Sequence, residues 1–336
     1  MKKLILGIIT LMSISCYSQK TKEEFSLSGT VSGIENGSFL YLVDVSAQKV
    51  IDSTKVENNS FYFQTKLPKS PLNTVLETKD HSQYRFLWLE NKKMNFDGTG
   101  TDLKHANITG SETETLKQSL RNKLEGLSMD ERKKKEIEFI KSNPNSIASA
   151  ATLSVYTRSW GKEKIKELFE LLSTENKESE YGKSISKYLE LNRSPIVGDK
   201  YVDFEMEDTN GERKKLSDFN GKIVLLEFWA SNCGPCRKEN PNLVKTYEKY
   251  HSKGFEVFAV SQDIKRSSWL NAIEKDKLPW VQVSDLKGRD NTAFNIYGIS
   301  AIPWNFLIDK DGTIIDKNLR GDRLNKRLAE IMGAND

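Results

Sequence analysis

A nearly continuous apolar run from Lys222 to Trp229 leads straight into Ala230-Ser231-Asn232-Cys233-Gly234-Pro235-Cys236-Arg237, and this junction restricts the chain more than any other stretch. An apolar run of that length is what a strand buried on both faces needs. Residues Cys236 to His251 suit a helix, and Phe255 to Val260 form a second buried strand. Strand, helix and parallel strand in that order make a right-handed βαβ unit. Downstream, Phe306 to Ile308 and Thr313 to Ile315 flank the turn Asp309-Lys310-Asp311-Gly312, and Leu324 to Met332 form a closing helix.

The same junction carries chemistry. Cys233 is expected at the helix N-terminus, where unpaired backbone N–H groups and the positive end of the helix dipole favour a thiolate and lower its pKa below the roughly 8.5 of a free thiol. The thiolate is the species that attacks a disulfide. Cys236 lies one turn along the same face, where it can close a ring disulfide and release a bound partner, so it is expected to be the more buried, resolving thiol. Pro235 in the first turn costs no helical hydrogen bond, and Gly234 leaves the nucleophile accessible. No metal is expected, because zinc would need two further ligands and His81, His105 and His251 are dispersed. A purely structural bridge across so small a loop would constrain the unfolded chain little.

Upstream of this region the chain must hold further folded units, since 336 residues exceed one typical domain and the balance of 37% hydrophobic to 29% charged residues is that of a globular protein. Lys2, Lys3, the apolar Leu4 to Met12 and the small polar residues to Ser18 read as a secretory signal peptide over 1–18. Cleavage after Ser18 is the preferred reading, with acylation of Cys16 as a lipid anchor the alternative. Either way, only Cys233 and Cys236 remain free for chemistry in an oxidising compartment. Residues 19–110 read as a small antiparallel β domain, with alternating runs such as Phe39 to Val43 and Phe61 to Phe63 broken by turn formers. Residues 111–194 shift to Lys, Glu, Leu and Ser at helical spacing and read as a helical connector, with Asn143-Pro144-Asn145-Ser146 ending one helix and capping the next. A net charge of +4, from 51 basic and 47 acidic residues scattered along the chain, gives no support to nucleic-acid binding.

Over residues 195–336 the order of a parallel pair, a hairpin and a final helix describes an α/β thioredoxin fold. The segment Phe228 to Arg237 resembles the active site of thioredoxin-like proteins, and closely that of the exported TlpA/ResA-type thiol-disulfide oxidoreductases. The likeness runs from about Val197 to Gly333 and includes Asp203-Phe204, Leu216 to Lys222, Val260-Ser261-Gln262-Asp263 and Gly298 to Asp309. The N-terminal part resembles the small β domain with helical linker that precedes such redox domains in exported proteins of Gram-negative bacteria.

The resemblance implies that Ile302-Pro303 has a cis peptide bond facing the cysteine pair, with the backbone of Ile302 free to pair with an extended partner segment. It also implies proton-carrying roles for two acids. Glu239, one turn after Cys236, matches the glutamate of ResA-type proteins, and Glu227 stands on the buried strand where thioredoxins carry an aspartate. An acid inside the run Ile223 to Phe228 has no evident structural use. Asn232 and Trp304 depart from the family pattern of Trp before the first cysteine and a small residue after the proline. With Trp229, Ile302 and Pro303 they form the expected partner-binding set. Implied partners are cysteine-containing envelope proteins, with a membrane thiol relay as electron donor and no bound cofactor.

Two rivals frame this reading. A thiol peroxidase shares the fold, but its motif places Thr three residues and Pro seven residues before the attacking cysteine, where this chain has Ala230 and Leu226. A non-catalytic envelope scaffold would make the cysteines dispensable.

Overall fold

The computed structural model describes residues 24–333, which divide into two compact units between Glu125 and Gly126. The expected signal segment and Cys16 lie outside the described residues. Among the described residues, no helix is long and apolar enough to cross a membrane.

The first unit arises from period-two patterning. Its strands are β1 (Ser26–Thr30), β2 (Phe39–Asp44), β3 (Lys49–Lys55), β4 (Ser60–Gln64), β5 (Leu72–Thr78), β6 (Tyr84–Leu89), β7 (Lys93–Asp97) and β8 (Asn107–Thr109). Alternate residues point inward, as with Leu40 and Leu42 on β2 and Phe61 and Phe63 on β4. They form two four-stranded sheets, β4-β1-β7-β8 and β3-β2-β5-β6, whose inner faces share one apolar core. The all-antiparallel expectation is corrected at one pair: β1 runs parallel to β7, Leu27 opposite Met94 and Gly29 opposite Phe96. Glycine is required at 29, because a Cβ there would stand 2.3 Å from the Phe61 ring. The helix α1 (Glu112–Leu124) belongs to this unit: Ser111 caps it by accepting from Glu114 N, and the Glu114 carboxylate accepts the buried Trp88 N–H at 2.9 Å.

The second unit begins with α2 (Met129–Ser142), α3 (Ile147–Val155), α4 (Lys162–Leu171), α5 (Thr174–Glu178) and α6 (Glu180–Leu191). Ser128 starts α2 with a capping box, and Ser146 caps α3. The amphipathic faces enclose Ile140, Leu153, Ile165, Leu168 and Ile185. These five helices do more than connect, for the end of α6 is tied to the redox half: Lys187 Nζ donates to Asp290 O at 2.8 Å, Asn192 Nδ2 to Asn295 O at 2.9 Å and Arg193 N to Ile296 O at 2.9 Å.

After the small hairpin β9 (Glu205–Glu207) and β10 (Arg213–Lys215) come β11 (Ile223–Trp229), α7 (Gly234–Tyr250), β12 (Phe255–Ser261), α8 (Arg266–Asp276), β13 (Val281–Val283), α9 (Thr292–Tyr297), β14 (Trp304–Ile308), β15 (Ile314–Lys317) and α10 (Asp322–Met332). The sheet order is β13-β12-β11-β14-β15, with β11 parallel to β12 and antiparallel to β14. Every residue of β11 and β12 is buried, as the continuous apolar runs require. Ile223, Leu225 and Trp229 face a core shared with α7, α8 and α10, whereas Val224, Leu226 and Phe228 face one shared with α9. This is the thioredoxin fold, with the cysteine pair where β11 passes into α7.

Candidate active site

Cys233 is the N-cap of α7 and Pro235 stands in the first turn, where a residue without an N–H costs nothing. The helix thus starts at Gly234, two residues before the expected Cys236. The two cysteines are joined as a disulfide with Cα atoms 5.3 Å apart. Cys233 Sγ accepts the Cys236 N–H at 3.2 Å, so a main-chain donor of the helix terminus is aimed at the outer sulfur. Cys233 is 8% exposed and Cys236 only 2%, which places the first sulfur nearer solvent.

The approach to the pair is held by groups that sequence reasoning missed. Ser231 is gripped from both sides: Asp263 accepts its N–H at 2.9 Å and also its hydroxyl, while Arg237 Nη1 donates to its carbonyl at 3.0 Å. Arg237 in turn grips Asp276 at the end of α8 with two N–H groups, and Asn240 Nδ2 donates to the same carboxylate at 2.7 Å. Asp263 was visible as part of Val260-Ser261-Gln262-Asp263, but nothing in the linear pattern assigns it to Ser231.

Glu227 lies on the face of β11 between Leu225 and Trp229, the face that looks onto the cysteine-bearing helix. Its neighbour across β14 is Asn305, whose Nδ2 donates to Glu227 Oε2 at 2.9 Å and to Leu319 O at 2.8 Å while its Oδ1 accepts Leu319 N. Burial pushes the Glu227 carboxyl up to about 8; the Asn305 hydrogen bond and the Arg320 charge oppose that rise and the Glu239 carboxylate adds to it. Glu239 Oε1 accepts Gly321 N at 2.7 Å and Asn242 Nδ2 at 2.9 Å, so its side chain turns toward the start of α10. The two acids therefore belong to one cluster, closed by Asn305 and Arg320. The signal for Asn305 was a polar residue inside the otherwise apolar Trp304 to Ile308.

The Ile302-Pro303 bond is cis. Ile302 is half-buried and packs against both cores of the sheet, and neither its N–H nor its C=O has a hydrogen-bond partner among the described residues. Asn232 is exposed, Trp304 half-buried and paired with Phe228 across the sheet, and Pro303 buried. Trp229 corrects the expected partner-binding set: it is 2% exposed, with its indole N–H given to Gln282 Oε1 at 3.0 Å, so it supports the site from beneath and offers a partner no surface. Among the described residues, no group of three or more His, Cys, Asp or Glu side chains could hold a metal ion.

A disulfide at the N-terminus of the helix that follows the central strand, beside a cis-proline turn, defines a thioredoxin-fold thiol-disulfide oxidoreductase. Residues 197–317 match the AhpC/TSA family model, and residues 25–116 match a domain of unknown function, DUF4369. The chain is 33% identical over 136 residues to the thiol-disulfide oxidoreductase ResA of Bacillus thuringiensis subsp. konkukian, covering 40% of this chain and 76% of that one. With ResA of Bacillus subtilis it shares 35% identity over 112 residues, 33% of this chain and 61% of that one. Among solved structures, the thioredoxin domain of a thiol-disulfide oxidoreductase from Bacteroides vulgatus aligns at 37% identity over 41% of this chain and 99% of its own, with a TM-score of 0.40. The chain belongs to the ResA family of thiol-disulfide oxidoreductases.

Proposed function

We propose that the protein is a disulfide reductase of the cell envelope, in which Cys233 attacks and Cys236 resolves. The observation that carries this assignment of roles is the asymmetry of the pair: the outer sulfur caps α7 and accepts a main-chain N–H, while the inner one is almost fully buried. In the forward direction the Cys233 thiolate attacks one sulfur of a partner disulfide, and the other partner sulfur leaves as a thiolate. Cys236 then gives its proton to the Glu227 carboxylate and attacks Cys233 Sγ. The ring disulfide forms, and the second partner sulfur leaves as a thiolate. Two electrons have passed from the cysteine pair to the partner, and no bound cofactor is needed.

Glu227 suits the proton step, because an acid with a pKa of about 8 can both take and return a proton near neutrality. The free backbone groups of Ile302 suit an extended partner segment. The Gly-Pro pair between the cysteines, the exported setting read from residues 1–18 and a membrane thiol relay as donor complete the proposal.

Equilibrating the full chain with graded thiol buffers tests the direction. A potential near the roughly −270 mV of thioredoxin is the expected result, whereas one near the roughly −120 mV of a strong periplasmic oxidant reverses the assignment. The AhpC/TSA match favours one second reading, reduction of peroxide by Cys233. Turnover of hydrogen peroxide that outpaces turnover of a peptide disulfide would establish it.

A further inference from the structure

The guanidinium of Arg320 lies where the turn after β15 meets α10, and the chemistry assigned so far does not use it. Its Nη2 donates to the carbonyl oxygen of Pro303 and, at 2.7 Å, to Asn318 Oδ1. Its Nε is buried with no hydrogen-bond partner among the described residues. Such a donor is costly to leave unmet, which is hard to reconcile with a side chain kept only for stability. The next residue, Gly321, gives its N–H to Glu239. One short segment thus touches the cis-proline turn, the cluster around Glu227 and the acid on α7.

We propose that Arg320 is a positioning residue of the redox site, fixing the partner-facing Ile302-Pro303 turn through the Pro303 carbonyl and setting a permanent positive charge beside the buried Glu227 carboxyl. This rests on the reading of Glu227 as the proton carrier and of Ile302 as the partner contact. The groups around Glu227 are few. From β14 comes the neutral amide of Asn305, from α7 the carboxylate of Glu239 together with the cysteine pair of the same core, and from the turn before α10 the Arg320 guanidinium. At the same level on β12 stands Ala259, and α10 contributes Leu324 and Leu328, none of them charged. Arg320 follows Leu319, whose backbone is held by the same Asn305 amide that binds Glu227. The Arg320 charge thus stands at the edge of that hydrogen-bond network, where it opposes the cost of ionising the acid while its Nη2 holds the turn.

The two effects separate with two variants in the full-length chain. Arg320→Gln removes the charge and the guanidinium; Arg320→Lys keeps the charge but lacks the planar guanidinium whose Nη2 reaches both acceptors. The first readout is the pH midpoint of the Glu227 carboxyl in the oxidised protein, tracked by carbon-13 NMR, which does not depend on the direction of electron flow. It should move up by about one unit in Arg320→Gln and return toward the wild-type value in Arg320→Lys. The second is the KM for a peptide disulfide set against that for a small aromatic disulfide. Both variants should raise the first roughly fivefold and leave the second unchanged.

An unmoved midpoint in Arg320→Gln, or equal losses on both substrates, would overturn the proposal. Should Arg320→Gln not fold, Arg320→Lys alone decides, through the split between the two substrates. Failure of the underlying reading looks different, since Glu227→Gln would then leave the resolving step at the wild-type rate whatever Arg320 does.

Discussion

A carboxyl group set among apolar side chains makes the enzyme's stability depend on its protonation. Glu227 has a folded-state pKa of about 8 against an ordinary value of 4.5, so between those pH values the folded chain holds a proton that the unfolded chain has lost. Its contribution is neutral below the ordinary value and increasingly unfavourable as pH rises through the window. Glu227→Gln removes that dependence, and the thermal midpoint of the oxidised second unit should fall less between pH 5 and pH 9 than in the wild type. The same substitution should slow the resolving step by about 100-fold, the scale of a lost general base, as read by the lifetime of a mixed disulfide with a peptide. Cys236→Ser should make that adduct permanent. At this scale the sequence revealed the reactive groups and not their company. Cys233, Cys236 and Glu227 stand out by residue type in a local pattern, whereas Asn305 becomes a partner of Glu227 only when strands 78 residues apart are laid side by side, and Arg320 only when the segment after β15 folds back onto Pro303.

Among the elements, α7 begins at Cys233, carries Cys236 and Glu239, and is anchored at its first turn. Its first turn is tied through Arg237 to Asp276 on α8, a pair largely shielded from water with side chains 25% and 14% exposed. Breaking such a pair strands a cation, so Asp276→Ala should lower the stability of the second unit by about 2 kcal/mol in a urea titration of the full chain. It should also loosen Ser231 and hence the path to the cysteines. The helix itself was legible from period and from Pro235, and β11 and β12 from unbroken apolar runs. The clamp was not, because Arg237 and Asp276 are 39 positions apart and each reads as a solvated charge in its own helix. The parallel pairing of β1 with β7 escaped for a related reason: alternation fixes which face of a strand is buried, and says nothing of its neighbour or direction.

Across the whole molecule, the division between Glu125 and Gly126 separates a β-rich unit whose described residues include no cysteine from one that holds the Cys233–Cys236 disulfide. Residues 126–336 expressed alone should therefore reduce a small disulfide at a rate close to that of the full chain; an inactive or unfolded product would show that the first unit is needed for folding. The sequence announced the change of composition near residue 111, yet helical spacing could not reveal that α1 packs with the strands before it while α2 to α6 belong with the redox half. Where the Cys236 amide donates to Cys233 Sγ, the hydrogen bond that caps α7 uses as acceptor the atom that gains charge when the pair takes up electrons. A sulfur that becomes anionic accepts more strongly. The first turn of α7 should thus fray less in the reduced enzyme, and deuterium uptake at that single amide becomes a gauge of how many electrons the molecule holds.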